Sequence, residues 1–345
     1  MTAKIFQLTR QSVLSVLLMV AGLASVSQTR AQVATAVPDK SDTYANPIIN
    51  QDAPDPSVMK ADDGFFYLYS TGNKIFRSSN LVDWSYVGSV FDDLHKPTFV
   101  PGVTRIWAPD INKIGDQYVL YFALSKWGGI DSCGVGVATS ASPTGPFMPV
   151  NGTGKLLVSH EIGVRNSIDP FYIEDAGHKY CVWGSFYGIY IIELSDDGLS
   201  IKSGAQKQQL VGTAYEGSYI YKRGNYYYFF GSTGTCCEGA NSTYRVVYGR
   251  STSLFGPYVN KRGGLLMNNQ YETLVQGNSA WAGTGHNAEL IEDANGATWL
   301  PYHAYSKTSP SVGRMVLLDL VQWTADGWPY IEGGAPSRLS KKPKF

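Results

Sequence analysis

The chain carries a five-fold repeat in which an acidic residue or a histidine stands about ten residues before an aromatic-rich strand pattern. The leading residues are Asp55, Asp110, Asp169, Glu216 and His286, at intervals of 55, 59, 47 and 70 residues. Repetition at about this period, with strand patterning inside each unit, is typical of a β-propeller. The sequence therefore predicts an all-β fold, a five-bladed β-propeller with the active site at the central channel, where the leading residues converge.

Turn-forming dipeptides separate the predicted strands. Asp-Gly or Asn-Gly pairs occur at 63–64, 151–152, 197–198, 295–296 and 326–327. Such pairs favour tight hairpins. After the N-terminal leader no window shows sustained apolar periodicity of the helical kind. Because no linker or charge block interrupts residues 46–337, we expect a single propeller domain across them.

The first 31 residues have the composition of a secretory signal peptide. Lys4 and Arg10 precede an apolar run that is too short to span a membrane. We expect residues 1–31 to be removed on export to a secreted or periplasmic location. Residues 32–45 would then lead into the fold, and residues 338–345 would form a solvated basic tail.

Charge is sparse and nearly balanced along the chain. It has 28 Lys and Arg against 28 Asp and Glu, and without residues 1–31 the net charge becomes −3. A nearly neutral surface gives no electrostatic reason to expect nucleic acid as a partner or, for the mature form, a membrane. The 23 Tyr and 8 Trp suit strands with half-buried faces, and they also suit the flat apolar faces of sugar rings.

Four cysteines are present, and their spacing matches no zinc site. They are Cys133, Cys181, Cys236 and Cys237. A Cys133–Cys181 disulfide is compatible with an exported protein. The adjacent pair could close only a strained ring, so we expect buried thiols there. The sequence leaves the connectivity open.

Three of the leading acids lie where the backbone favours a rigid strand entry. Asp55 lies between two prolines, Asp169 precedes another proline, and Glu216 precedes Gly217. Acids in such contexts are often turn or cap residues. Their similar distance from the following strand instead favours a shared site.

Several segments between residue 46 and about residue 330 resemble glycoside hydrolase family 43, whose five-bladed propellers cut arabinose- and xylose-containing polymers. They include NPIINQDAPDPSV, NSIDPFYI, YEGSYIYKRGNYYYFFGS and GTGHNAEL. SFYGI, CCEGANSTY and GTGHN are similar to hallmarks of the arabinanase branch. The chain departs from that pattern at Pro54, where many endo-arabinanases carry His, and at Tyr187, the aromatic residue at the third position of the SFYGI hallmark.

The resemblance implies inverting hydrolysis of α-1,5-linked arabinan or its oligosaccharides by a pair of carboxyl groups. It implies Asp55 as the general base and Glu216 as the general acid. Asp169 would raise the pKa of Glu216 and orient it, whereas Asp110 would order the second blade without a catalytic role. Two alternatives stay open: an exo-acting α-L-arabinofuranosidase or β-xylosidase of the same family, and a non-catalytic carbohydrate-binding propeller.

The resemblance also implies which residues contact the sugar. Trp127 and Gly128 would lie under the ring at the cleavage point. The further implied contacts are Asn166, Ser167, Ile168, Ser185, Phe186 and Tyr187. Trp107 and Trp281 are weaker candidates, because Trp in strands is more often part of the core.

His286 is the expected contact of a hydrated cation, usually Ca²⁺, by the same resemblance. Calcium prefers oxygen ligands, so waters would have to complete its coordination shell. A buried neutral imidazole that donates to a carbonyl is the alternative. No organic cofactor is expected.

Overall fold

The computed structural model describes residues 42–345, so the predicted signal peptide and residues 32–41 lie outside the described residues. Five antiparallel sheets of four or five strands follow one another along the chain. One small cavity is lined by residues from all five sheets: Ser57, Asp110, Phe171 and Tyr219 lie in the first strands of four of them, and Asn287 lies just after the first strand of the fifth. The sheets therefore surround one axis, and the predicted five-bladed β-propeller is confirmed.

The strands are short and are named here in chain order. Strand β1 (Thr43–Ala45) precedes the first blade, which consists of β2 (Ser57–Lys60), β3 (Phe66–Ser70), β4 (Lys74–Ser78) and β5 (Ser85–Ser89). The second blade contains β6 (Trp107–Ile114), β7 (Gln117–Leu124), β8 (Gly134–Ser140), β9 (Met148–Pro149) and β10 (Lys155–Val158), followed by helix α1 (Ser159–Ile162). The third blade contains β11 (Phe171–Asp175), β12 (His178–Trp183), β13 (Ile189–Glu193) and β14 (Gln208–Val211).

The last two blades are built in the same way. The fourth contains β15 (Glu216–Arg223), β16 (Tyr226–Thr233), β17 (Arg245–Ser251) and β18 (Glu272–Val275). The fifth contains β19 (Trp281–Gly285), β20 (Ile291–Glu292), β21 (Thr298–Ser306), β22 (Met315–Trp323) and β23 (Pro329–Tyr330), and β24 (Leu339–Lys341) follows it. Single 3₁₀ turns span Val150–Gly152, Gly239–Asn241, Leu266–Asn268, Pro310–Val312 and Glu332–Gly334.

The hydrophobic core is divided among the interfaces between neighbouring blades. In β3, Phe66 and Leu68 pack with residues of the fifth blade, whereas Tyr67 and Tyr69 pack with residues of the second. Strand β16 repeats this arrangement toward the third and fifth blades. Because successive side chains of a strand point to opposite faces, both faces of these middle strands are buried. This explains why large apolar residues fill consecutive positions in the aromatic runs.

The segment before the first blade closes the ring by pairing with the fifth blade. The N–H groups of Ile48 and Ile49 donate to the carbonyl of Val316 at 2.9 and 3.3 Å. The Ala53 N–H donates to the carbonyl of Arg314 at 2.9 Å. The two ends of the propeller are thus joined by backbone hydrogen bonds at the point where the chain enters β2.

The chain termini of the described region form a sheet of their own. Strand β1 pairs antiparallel with β24, and the ring of Phe345 lies 4.5 Å from that of Phe66. Residues 338–345, expected as a solvated tail, are therefore partly a strand, because a free strand edge was available at β1. Within residues 42–345 the structure contains no helix with the length and apolar character needed to cross a membrane.

Asn46 links the closing segment to both the fifth blade and the C-terminal segment. Its Nδ2 donates to the carbonyls of Leu318 and Ser337 at 3.0 and 3.1 Å, and its Oδ1 accepts the Leu318 N–H at 2.9 Å. Asn46→Ala leaves partly buried backbone groups unpaired and should lower the free energy of unfolding by about 1–3 kcal/mol. Urea unfolding measures this. The exposed Asn268→Ala is the matched control, and an equal loss in both variants would contradict the proposed role of Asn46.

Candidate active site

In every blade a residue with a left-handed backbone conformation lies at the first strand: just before it in the first and third blades, within it in the second and fourth, and just after it in the fifth. The five residues, with φ between 35° and 56°, are Asp55, Ala108, Asp169, Gly217 and His286. Residues other than glycine rarely adopt such backbone angles. Asp55, Asp169 and His286 are themselves the left-handed residues of their blades and are therefore equivalent. In the fourth blade the left-handed residue is Gly217, and Glu216 lies one residue before it. In the second blade the left-handed residue is Ala108, and Asp110 lies two residues after it.

Asp55, Asp169, Glu216 and His286 line one cavity of about 200 Å³. The three acids are 7, 6 and 9% exposed, so the cavity holds three buried carboxyl groups. The offset of two residues places Asp110 in a different, smaller cavity on the axis, together with Glu289. The structure therefore brings together four of the five leading residues.

Asp55 lies at the centre of a hydrogen-bonded group. Its Oδ1 accepts from Arg314 Nη1 at 2.9 Å, and its Oδ2 accepts from the Thr71 hydroxyl at 2.6 Å. The Nδ1 atoms of His303 and His286 lie 3.2 and 3.4 Å from Oδ1. Burial alone would raise the pKa of Asp55, but the Arg314 charge, with smaller contributions from the histidines, holds it well below its usual range.

Both histidines beside Asp55 have pKa values below the usual range of an imidazole. Burial lowers the pKa of His303 to about 4, and burial also lowers the pKa of His286. His303 Nδ1 accepts the Asp55 N–H at 3.2 Å, which an imidazolium could not do. The guanidinium of Arg314 is therefore the main charge that keeps Asp55 ionised.

Glu216 is positioned by neutral hydrogen-bond donors. The Ser185 hydroxyl donates to Glu216 Oε2 at 2.7 Å, and Asn166 Nδ2 donates to the Ser185 oxygen at 2.8 Å. The Gly217 N–H, on the residue after Glu216, donates to Asp169 Oδ2 at 3.0 Å. These bonds connect the entry of the fourth blade to two segments of the third.

Glu216 and Asp169 have pKa values shifted in the direction opposite to that of Asp55. Burial raises the pKa of Glu216, and the Asp55 charge adds to it, outweighing the hydrogen bond from Ser185. Burial, followed by the charge of Glu216, raises the pKa of Asp169 well above its usual range. The Glu216–Asp169 pair therefore retains a proton under conditions in which Asp55 is ionised. One cavity thus holds a base and a proton donor, as general acid–base chemistry requires.

A second cavity of about 600 Å³ adjoins the first and contains most of the predicted sugar contacts. It is lined by Gly128, Asn166, Ser185 and Phe186, and both cavities are lined by Trp107, Trp127 and Ile168. Trp127 is 79% exposed, so its indole is available to a ligand. The structure is consistent with a binding role for these residues.

Three predicted or weaker candidates lie away from the cavities. Ser167 is fully buried, and its hydroxyl donates to the carbonyl of Val164, so it supports the segment instead of facing a ligand. Tyr187 is half-exposed but lines neither cavity, and its ring is covered by the Arg165 guanidinium at 4.8 Å. Trp281 belongs to the core between the fourth and fifth blades.

The cysteines differ from the expectation for the adjacent pair. Cys236 and Cys237 are joined by a disulfide, whereas Cys133 and Cys181 are buried free thiols. The ring between neighbouring residues is accommodated in the loop between β16 and β17, at the surface of the cavities, where no core packing restricts it.

Sequence reasoning missed four further side chains at the site: Arg314, Thr71, His303 and Tyr244. None of them occupies the leading position of a repeat. Tyr244 lies within the CCEGANSTY segment and His303 within the YHAY segment at 302–305, and these two resemblances were the available signals. Arg314 directly precedes β22 in a loop without a recognisable motif. Its contact with Asp55 is seen only in the structure, where the first and fifth blades meet.

An acid–base site on the axis of a five-bladed propeller is a suitable arrangement for cleaving a glycosidic bond. The family model described as "Glycosyl hydrolases family 43" matches residues 44–329. The chain belongs to this family and is a glycoside hydrolase. The resemblance and the enzyme class predicted from sequence are confirmed.

Similar proteins support this assignment. The chain is 31% identical to the extracellular exo-α-(1→5)-L-arabinofuranosidase of Cellvibrio japonicus, over 81% of this chain and 86% of that protein. It is 30% identical to an extracellular endo-α-(1→5)-L-arabinanase of Bacillus subtilis, over 80% and 86%. A Cellvibrio cellulosa α-L-arabinanase solved with arabinohexaose superposes with a TM-score of 0.74 at 27% identity, covering 81% of this chain and 96% of that one.

The Arg314–Asp55 pair predicts how activity depends on pH. Asp55 must be ionised, so activity is present above its lowered pKa and is lost as the pH falls through it. Arg314→Met removes the charge that offsets burial, so the acid limb of the kcat/KM profile should move up by about 1–3 pH units. The exposed Arg262→Met is the matched control. An unchanged acid limb in Arg314→Met would refute this account of the Asp55 pKa.

Proposed function

We propose that this enzyme is an inverting hydrolase of α-1,5-L-arabinofuranosyl linkages in arabinan or its oligosaccharides, acting in the manner of an endo-arabinanase. The observation that carries the proposal is the single cavity in which an ionised Asp55 faces the proton-holding Glu216–Asp169 pair. The substrate is supported by the names of relatives, which include arabinanases and an arabinofuranosidase, and by the related structure that binds arabinohexaose.

The proposed mechanism uses the two opposite pKa shifts. Glu216 donates its proton to the glycosidic oxygen as the bond to the anomeric carbon breaks. Asp55 takes a proton from the water that attacks this carbon from the opposite face, which inverts its configuration. Asp169 is the ionised member of the Glu216–Asp169 pair while Glu216 carries the proton. Asp169 also accepts the Gly217 N–H, which fixes the backbone beside Glu216. Afterwards Glu216 is ionised and Asp55 protonated, and exchange with solvent restores both.

Glu216→Gln keeps the shape of the side chain and removes its proton. Hydrolysis of arabino-oligosaccharides, whose leaving group needs protonation, should fall about 10²–10⁴-fold in kcat. An aryl arabinofuranoside with an acidic phenol as leaving group should lose much less. The exposed Glu161→Gln in helix α1 is the matched control. Equal losses on both substrates would refute the assignment of Glu216 as the general acid.

Digestion of debranched linear arabinan distinguishes the modes of action. Endo cleavage gives a ladder of oligosaccharides at early times, whereas an exo-acting arabinofuranosidase releases single arabinose units. We expect the ladder, and chromatography of early time points measures it. Cleavage of aryl β-xylosides but not of arabinan would favour a β-xylosidase. Binding without turnover of either polymer would favour the non-catalytic propeller.

The same digestion, followed by NMR from the first turnovers, reports the stereochemistry. The newly formed reducing end should have the configuration opposite to that of the cleaved linkage. A retained configuration would instead require a covalent intermediate and would make Asp55 a nucleophile.

We propose calcium only as a hydrated ion beside His286. Within residues 42–345 no group of three or more His, Cys, Asp or Glu side chains is arranged to hold a metal ion. The imidazole Nδ1 of His286 faces Asp55 at 3.4 Å, so these residues do not fit a calcium ion held by protein oxygens. No catalytic step is assigned to the ion.

We also propose that the enzyme acts outside the cytoplasm. Two relatives are named as extracellular enzymes, and arabinan is a polymer of the plant cell wall. The leader at residues 1–31 has the composition that export requires. N-terminal sequencing of protein from the culture medium or periplasm would test cleavage near residue 31.

A further inference from the structure

The Cys236–Cys237 disulfide lies where the two cavities of the active site meet. Six residues line both cavities: Trp107, Trp127, Ile168, Glu216, Cys236 and Cys237. Since Glu216 is among them, the junction of the cavities is the place where the glycosidic oxygen must lie to receive its proton. The disulfide therefore borders the bond that is cleaved.

The two cavities differ in the catalytic groups that line them, and this difference determines which way the substrate chain runs through the cleft. Asp55 lines the smaller cavity and does not line the larger one. The sugar whose anomeric carbon is attacked must lie in the smaller cavity, because the attacking water is held by Asp55. The larger cavity, beyond Glu216, then takes the leaving-group part of the chain.

The loop that carries the disulfide is held rigidly between β16 and β17. The N–H groups of Thr235 and Thr243 each donate to the other residue's hydroxyl at 3.1 Å. The Glu238 N–H donates to the Ser242 hydroxyl at 2.9 Å, and the Tyr244 N–H donates to the Thr235 carbonyl at 3.1 Å. A wall fixed in this way loses little conformational entropy when a ligand binds.

We propose that the Cys236–Cys237 disulfide is a sugar-binding surface on the leaving-group side of the cleavage point. The inference rests on the proposed function. Paired sulfur atoms are polarisable and apolar, so they suit the C–H face of a furanose and make dispersion contacts with it. Trp127 lines the same cavities and provides a second apolar surface. The disulfide is thus a specificity element for the leaving-group sugar and takes no part in proton transfer.

The double variant Cys236→Ala/Cys237→Ala tests the contact with two substrates. Linear arabinotetraose places sugars on both sides of the cleavage point, whereas α-L-arabinofuranosyl fluoride has a leaving group too small to reach the disulfide. The variant should raise KM for arabinotetraose about tenfold and leave kcat/KM for the fluoride within about twofold. Asn241→Ala, an exposed residue of the same loop that lines neither cavity, is the matched control and should change neither.

Reduction of the disulfide in the wild-type enzyme is an independent test of the same inference. Dithiothreitol, which becomes its cyclic disulfide, transfers two electrons and two protons and converts the pair into two thiols. A thiol count verifies the reaction. Cys133 and Cys181 are already thiols, so the reductant should raise KM for arabinotetraose in the wild type and leave the double variant unchanged. If the double variant does not fold, the change in KM for arabinotetraose on reduction of the wild-type enzyme is the deciding measurement.

Three outcomes would overturn the inference. An unchanged KM for arabinotetraose would show that the disulfide makes no contact with the sugar. Equal losses on arabinotetraose and the fluoride would show that the variant disturbs the smaller cavity as a whole and not a contact with the leaving-group sugar. A wild-type enzyme that hydrolyses the fluoride but not arabinotetraose would refute the proposed substrate, and the inference with it.

Discussion

The active site depends on the hydrogen bonds that close the propeller between its first and fifth blades. The Ala53 N–H donates to the Arg314 carbonyl at 2.9 Å, and the Arg314 N–H donates to Asp52 Oδ1 at 3.0 Å. The backbone of Arg314 is thus fixed beside the entry to β2, within reach of Asp55. Closure of a ring is usually considered for its contribution to stability. Here it also supplies the charge that keeps the general base ionised.

The site is built on backbone conformations that are unfavourable elsewhere. A left-handed residue other than glycine costs on the order of 1–3 kcal/mol, and Asp55, Asp169 and His286 all adopt this conformation. In the fourth blade the equivalent position is Gly217, where a Cβ would lie 2.9 Å from His286 Nδ1. Glycine there makes room for the imidazole, and the register shift between Glu216 and Tyr219 turns the strand next to the acid, as bulges near active sites commonly do.

The sequence predicted the architecture because the propeller repeats the same physical requirement in every blade. Middle strands buried on both faces need consecutive large apolar residues, and runs such as 226–230 show them directly. The site was predicted less completely. Position in a repeat identified Asp55 and Asp169 but misplaced Asp110, because an offset of two residues along a first strand leads to a different cavity. Arg314 could not be predicted, since its contact with Asp55 spans 259 residues of chain and depends on how the ring closes.

The acid and base roles follow from the kind of donor that each carboxyl group contacts. All three acids are buried, and burial alone favours the protonated form of each. Glu216 and Asp169 accept from neutral donors, the Ser185 hydroxyl and the Gly217 N–H, and these do not offset the cost of burial. Asp55 accepts from a guanidinium, which does, because a charge-assisted bond stabilises the ionised form more strongly. Since Arg314 precedes β22 in the fifth blade, it lies next to the first blade and contacts Asp55 directly. Only its weaker long-range field acts on Asp169 and Glu216. The order of the blades around the ring thus determines which carboxyl group is the base.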